Sequence, residues 1–336
     1  MYIDRLEDYR LLEQKRDSKL LVYITGDRPG LETQISPEVA DYFLHHLDLF
    51  NLPPKISLFL YTRGGNTLAA WSIVNLLRMF SDNFEVIVPS KALSSGTLIC
   101  LGADSILMTK QGTLGPIDPS INTPLNPQVP GAPLTAKVPV SVEAIKGFIS
   151  LAKDEFGIAE DGNLKDVLIK LADMVHPLVL GEVYRARTQI QMLARKLLTY
   201  QINDAENVER IISFLCSDSG SHDYTLNRRE AHNDLGLNVA NPDIETYQII
   251  KRIYDNISKE LELSIPYDPK GLIGNSPSVD YNFRRCLIES ILGGTHVFIS
   301  QGTLNQQQIQ SQPNMPPQTA INDKRVFEGW RHESNE

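Results

Sequence analysis

Three short apolar runs set the rhythm of this chain. The stretches "KLLVYITG" (19–26), "KISLFLYT" (55–62) and "FEVIVP" (84–89) are almost unbroken Leu, Ile, Val, Phe and Tyr, closed by glycine, threonine or proline. A strand buried on both faces carries that pattern, because neither of its alternating sides meets water. Around and between these runs, apolar residues fall three and four apart in the opening segment, in "SPEVADYFLHHLDLF" and in "TLAAWSIVNLLRMF", which is the spacing of helices with one buried face. The second of these offers Ser36 as N-cap and Pro37 as first helical residue. Strands alternating with helices in this way predict right-handed crossovers and a mainly parallel α/β sheet. In such a sheet reactive groups gather where strands end and helices begin.

Further along, "SILMT" (105–109) reads as another short strand, and the glycine- and proline-rich stretch 110–134 as loop or extended chain. A helical block is expected from about Val142 to Cys216. Its long periodic segment "GEVYRARTQIQMLARKLLTYQI" would pack on its own flank or on another subunit. "SHDYTLNRREAHNDLGLNV" reads as a loop and short helix closing at Gly236, and "NPDIETYQIIKRIYDNISKEL" as a capped amphipathic helix. Two apolar runs around Gly293-Gly294 predict a hairpin. The end of the chain, rich in glutamine, asparagine and proline, has little to bury and is expected to be a flexible tail. These readings divide the chain into a main domain at 1–240, a C-terminal helix and hairpin extension at 241–302, and a tail at 303–336.

Composition narrows the function. With 336 residues, 42% hydrophobic and 22% charged, the chain can bury a sizeable core. A formal charge of -9 with no basic stripe argues against nucleic acid as a partner. Cys100, Cys216 and Cys286 stand far apart, with no CxxC pair and no cysteine-histidine cluster at zinc spacing, so neither a disulfide framework nor a structural metal is indicated. No apolar run approaches the roughly 18 residues of a membrane span. The N-terminus is charged from its fourth residue, so a cytoplasmic location is expected.

Two strand ends carry candidate chemistry. "YTRGGN" places Gly64 and Gly65 directly after a strand, and "KALSSG" places Ser94 and Ser95 at the start of a helix. Acyl transfer needs a nucleophile on a rigid element, a base, and two amide N–H groups aimed at the developing oxyanion. Glycine lets a substrate backbone come close to such amides, and a helix start leaves amides unpaired. A Gly65 amide and a Ser95 amide could form the hole, with Ser94 as nucleophile. A serine at this place also serves very often as a helix cap, and a glycine pair as a tight turn.

In order along the chain, "LYTRGGNTLAAWSIVNLLR", "KALSSGTLICLGADSILM", "GTLGPIDPS" and "SHDYTLNRREAHNDLGLNV" resemble the superfamily of the Clp protease proteolytic subunit and signal peptide peptidase A, and within it the serine dehydrogenase proteinase family. The resemblance covers roughly Leu20 to Val239 and implies a Clp/crotonase-like fold of repeated β-β-α units, with Ser94 of Ser-x-Gly as nucleophile and Gly65 and Ser95 as oxyanion amides. Arg63 departs from the proline that Clp subunits place before their glycines. The resemblance further implies a triad of Ser94, His222 and Asp118, with imidazole as base and carboxylate fixing its tautomer. Lys137, spaced from the serine as in signal peptide peptidases, is the alternative base and would need desolvation to act. His176 reads as a packed or capping residue, and Asp104 as a local helix end. The expected protein is thus a serine endopeptidase acting on peptides or proteins, without a cofactor, assembled as a homo-oligomer. A catalytically inactive Clp-like scaffold and a crotonase-type coenzyme A thioester enzyme are the alternatives.

Overall fold

The structure, a computed structural model, describes residues 1–117, 120–133, 135–158, 161–218, 221, 223–309 and 318–333. The chain divides into two compact units, residues 1–113 with 238–336, and residues 114–237. The first unit opens with α1 (Tyr2–Arg16), β1 (Lys19–Thr25), α2 (Val39–Phe50), β2 (Ile56–Tyr61), α3 (Thr67–Phe80), β3 (Phe84–Val88), α4 (Ser95–Leu101) and β4 (Ser105–Met108). The second unit holds α5 (Val142–Ser150), α6 (Asp161–Met174), α7 (Pro177–Leu198), α8 (Ala205–Ser213) and α9 (Arg228–Asn233). The chain then completes the first unit with β5 (Val239–Ala240), α10 (Ile244–Glu260), α11 (Pro269–Ile273), β6 (Ser278–Ser290), β7 (Gly294–Ile309) and β8 (Gln318–Glu333).

The main sheet runs β5-β4-β3-β2-β1-β6-β7-β8. Its first five strands are parallel. The last three add on antiparallel, with Val22 opposite Glu289 and Ile288 opposite His296. The apolar runs of the sequence are the central strands: every residue of β2 and β3 is buried. On one face Tyr9 and Leu12 of α1 and Ile249, Ile250, Ile253 and Ile257 of α10 close over Leu20, Val22, Ile24, Phe59 and Leu287. On the other lie α2, α3 and α4, with Phe43 of α2 meeting Tyr23 edge to face at 5.3 Å. Two carboxylates inside this sheet are matched by cations. Glu289 takes Arg5 Nε (3.1 Å) and Nη2 (2.5 Å), and Glu85 takes Arg16 Nε (2.9 Å), Nη2 (2.6 Å) and the Ser57 hydroxyl (2.6 Å). Removing Arg5 would strand the buried Glu289 charge, a change that typically costs about 3–5 kcal/mol, whereas Glu85 would keep Lys55 Nζ at 3.1 Å.

The second unit is helical, as its periodicity implies. Its α7 starts at Pro177 with His176 as N-cap, whose Nδ1 accepts from Leu178 N at 3.2 Å, so His176 is a capping residue. A small core of Val140, Val142, Val179 and Val183 holds β-branched residues of α5 and α7 together. Among the described residues no helix is long and apolar enough to cross a membrane.

Two expectations are corrected. The tail foreseen at 303–336 is not loose where it is described: residues 303–309 finish β7, and 318–333 form β8 along its whole length. An edge strand fills its ladder with backbone groups and turns polar side chains to water, so it needs few apolar residues. The glutamine-rich composition therefore hid a strand. The second helix also begins later than Ser36, at Val39 with Glu38 as N-cap. Ile35 is held in a parallel bridge with Gly65, and Val39 N reaches back to Ser36 O in a turn before the helix can start.

Candidate active site at two strand ends

Thr62 is the residue that joins the two junctions. It follows the last residue of β2, and its backbone pairs with the segment leading to the serines: Thr62 N donates to Lys91 O and Leu93 N donates to Thr62 O, both at 3.0 Å. Its hydroxyl oxygen accepts from the Thr25 hydroxyl (2.8 Å) and from Gly64 N (2.9 Å). One buried side chain thus sets the glycine turn, and its main chain sets the distance to the serine turn. The Ser-x-Gly spacing follows from the same contact. A Cβ at residue 96 would lie 2.4 Å from Thr62 Cγ2, so only glycine lets α4 start against the end of β2.

Gly64 has φ +108°, and a Cβ on it would stand 2.7 Å from Ser94 Cβ and 2.9 Å from Leu93 O. Gly65 has φ +148°, and a Cβ there would strike Ile35 O and N at 2.4 and 2.5 Å. Ile35 N donates to Gly64 O (2.9 Å) and Asn66 N donates to Ile35 O (2.8 Å). In a parallel ladder the residue bracketed by such a pair turns its own N–H and C=O to the opposite side. The Gly65 amide therefore faces away from the Ile35 segment. Among the described residues, neither the Gly65 nor the Ser95 amide donates a hydrogen bond.

Ser94 sits on the turn itself. At φ +52° and ψ -118° it occupies a region that L-residues avoid, a strain of about 1–3 kcal/mol. It stands at the N-cap of α4, yet its side chain makes no capping hydrogen bond. Half-buried, it lies against Gly64. Ser95 does not cap either: its side chain is 1% exposed and its Oγ has no partner. The ordinary capping role open to both serines in the sequence is thus taken by neither.

A charged set braces the same junction. Asp27 accepts from the Tyr61 hydroxyl (3.0 Å), Arg63 Nη1 (3.2 Å) and Lys91 Nζ (2.5 Å). Burial first, then Tyr254 and Asp27 nearby, push the Tyr61 phenol well up, so it stays a donor. Arg63, the residue that departs from the Clp pattern, is held by this carboxylate at the glycine turn. Asp104 is structural, but its bonds are not the local ones expected of a helix end: its Oδ2 accepts from Arg78 Nη1 of α3 and Phe84 N of β3, each at 2.7 Å.

The three base candidates stand differently. Asp118 and His222 lie outside the described residues. Lys137 is half-buried in the second unit, with Nζ 3.4 Å from Gln128 Oε1. Reading the sequence alone did not single out Thr62 or Asp27. The one signal available was a polar residue at the end of each apolar run, which is also how an ordinary strand terminates.

Residues 49–138 match the family model of the ClpP-like SDH-type serine proteinases. Over this segment the chain is similar to that family. The segment contains Gly65, Ser94, Ser95, Asp118 and Lys137 and ends before His222. Two uncharacterised proteins of Methanocaldococcus jannaschii are similar to this chain. One is 28% identical over 258 residues, covering 75% of this chain and 79% of its own length. The other is 32% identical over 123 residues, covering 35% and 42%. Among solved structures, the membrane-bound stomatin-specific protease 1510-N is 16% identical, with 74% of this chain and 89% of that chain covered and a TM-score of 0.38. ClpP1 from Listeria monocytogenes is 16% identical, with 70% and 99% covered and a TM-score of 0.37.

Proposed function

We propose that this chain is a serine endopeptidase of the Clp and signal peptide peptidase superfamily, working through an acyl-enzyme on Ser94. The observation that carries this reading is the Ser94 turn: a strained, half-buried serine that leaves its capping role unfilled and stands against the glycine pair. Strain of this kind persists only where surrounding structure holds it, and it concentrates at functional sites. The Ser94 hydroxyl attacks the scissile carbonyl, and the negative charge on the carbonyl oxygen is received by the amides of Gly65 and Ser95. The proton passes to His222, with Asp118 fixing its tautomer, or to Lys137; support for either base comes from the family resemblance. The same base then protonates the leaving amine, and water releases the acyl group. In this proposal the enzyme is a cytoplasmic homo-oligomer that takes peptides or proteins and needs no cofactor.

A fluorophosphonate probe tests the nucleophile, with the site read by peptide mapping. Labelling is expected on Ser94 and is lost in Ser94→Ala, together with a drop in peptide turnover of at least about 10³-fold. Comparing labelling rates of His222→Ala and Lys137→Ala assigns the base. A folded chain that takes up no probe on Ser94 would overturn the reading.

A further inference from the structure

Four of the chain's seven histidines meet on one side of the main sheet. His296 of β7 and His332 of β8 are register partners, so their side chains leave the sheet together, with ring centroids 4.5 Å apart. The helix α2 sets His45 over both, at 5.0 and 5.2 Å. One ligand atom from each of His45, His296 and His332 lies within 4.8 Å of the other two. None of these residues belongs to the Ser94 junction.

Hydrogen bonds behind two of the three rings bear on which nitrogen is free to bind. His332 Nε2 lies 3.0 Å from Gly293 O. A carbonyl only accepts, so Nε2 carries the proton and Nδ1 keeps its lone pair. His296 Nδ1 lies 3.0 Å from Nε2 of buried His46, whose own Nδ1 lies 2.7 Å from Ser290 Oγ. With protons on His296 Nδ1 and His46 Nδ1, this relay runs toward Ser290 and leaves His296 Nε2 unprotonated, the tautomer that metal binding would select. Such outer partners are what orient metal-bound imidazoles. Gly293 is shaped to this set: a Cβ there would lie 2.2 Å from His46 Nδ1, while its N–H reaches Ser290 Oγ at 2.9 Å.

We infer that His45, His296 and His332 form a binding site for a divalent transition-metal ion, with His46 and Ser290 as its supporting shell. Three imidazoles suit zinc, copper or nickel, and three protein ligands leave a fourth position open. Tetrahedral zinc with Zn–N of about 2.0–2.1 Å needs nitrogens about 3.3 Å apart. His296 is 7% exposed and fixed, whereas His45 and His332 are exposed. Closing the triangle would take rotation of the exposed His45 ring and a smaller turn of His332 about its Gly293 contact. The open side faces solvent, so an ion has a path in.

The test uses the full chain without an affinity tag, stripped with chelator and titrated with Zn²⁺ by calorimetry, with Co²⁺ absorption reporting geometry. One Zn²⁺ per chain is expected. His45→Ala and His332→Ala, both at exposed positions, should each weaken binding at least tenfold, and His46→Gln about ten- to hundredfold with the stoichiometry kept. His176→Ala should bind as the parent does. Absence of Zn²⁺ binding, or an affinity unchanged in both His45→Ala and His332→Ala while circular dichroism shows intact folding, would overturn the inference.

Discussion

At Gly64 an added methyl group would lie 2.7 Å from Ser94 Cβ, and at Gly293 one would lie 2.2 Å from His46 Nδ1. The two glycine pairs of this chain thus each make room for one side chain of a polar set. They differ in what else enforces glycine. Gly64 has φ +108° and would also meet backbone, Leu93 O at 2.9 Å, whereas Gly293 has an ordinary φ and meets only an imidazole ring. A constraint made of backbone cannot be relieved by changing a neighbour. A constraint made of one ring can.

That difference can be broken experimentally. The largest expected effect is Gly64→Ala, a destabilisation of about 3 kcal/mol or more by urea unfolding, which Ser94→Gly does not rescue because φ and Leu93 O remain. Gly293→Ala should cost about 2 kcal/mol and be largely recovered in Gly293→Ala/His46→Ala, a coupling of 1 kcal/mol or more in the double-mutant cycle. Equal rescue at both glycines would erase the distinction.

Acid should separate the two regions next. Burial, then the neighbouring imidazoles, holds His46 down at about 3 and His296 at about 4. Both lie below the ordinary 6.5, so as pH falls the unfolded chain takes up protons first and stability is lost. The metal-free chain should lose about 1–2 kcal/mol between pH 7.5 and 5.5. Urea midpoints measured across that range should flatten in His46→Gln/His296→Gln, and an unchanged slope there would count against neutral burial of the cluster.

The smallest effect sharpens the serine side. Ser94→Gly and Ser94→Ala should both abolish probe labelling, but the glycine variant should be the more stable by about 1 kcal/mol, because it relieves a φ of +52° that alanine keeps. Equal unfolding midpoints would mean that the turn stores no strain.

Much of this was legible in the chain itself. The continuous apolar runs at 19–26, 55–62 and 84–89 read as strands buried on both faces, and the periodic segments around them as covering helices, as the structure has them. Local order also exposed the glycine pair and Ser-x-Gly, because both fall where a strand stops. Other features arise from residues distant in sequence. That Ser94 leaves its cap unfilled depends on a backbone conformation set by Thr62, and β8 exists because β7 offers an edge to a polar segment with no periodicity of its own. The histidines at 45, 296 and 332 show no metal spacing along the chain. Register between β7 and β8, and the packing of α2 above them, brings the three rings together. Hydrophobic periodicity is a property of neighbours in sequence, whereas strain and converging ligands are properties of neighbours in space.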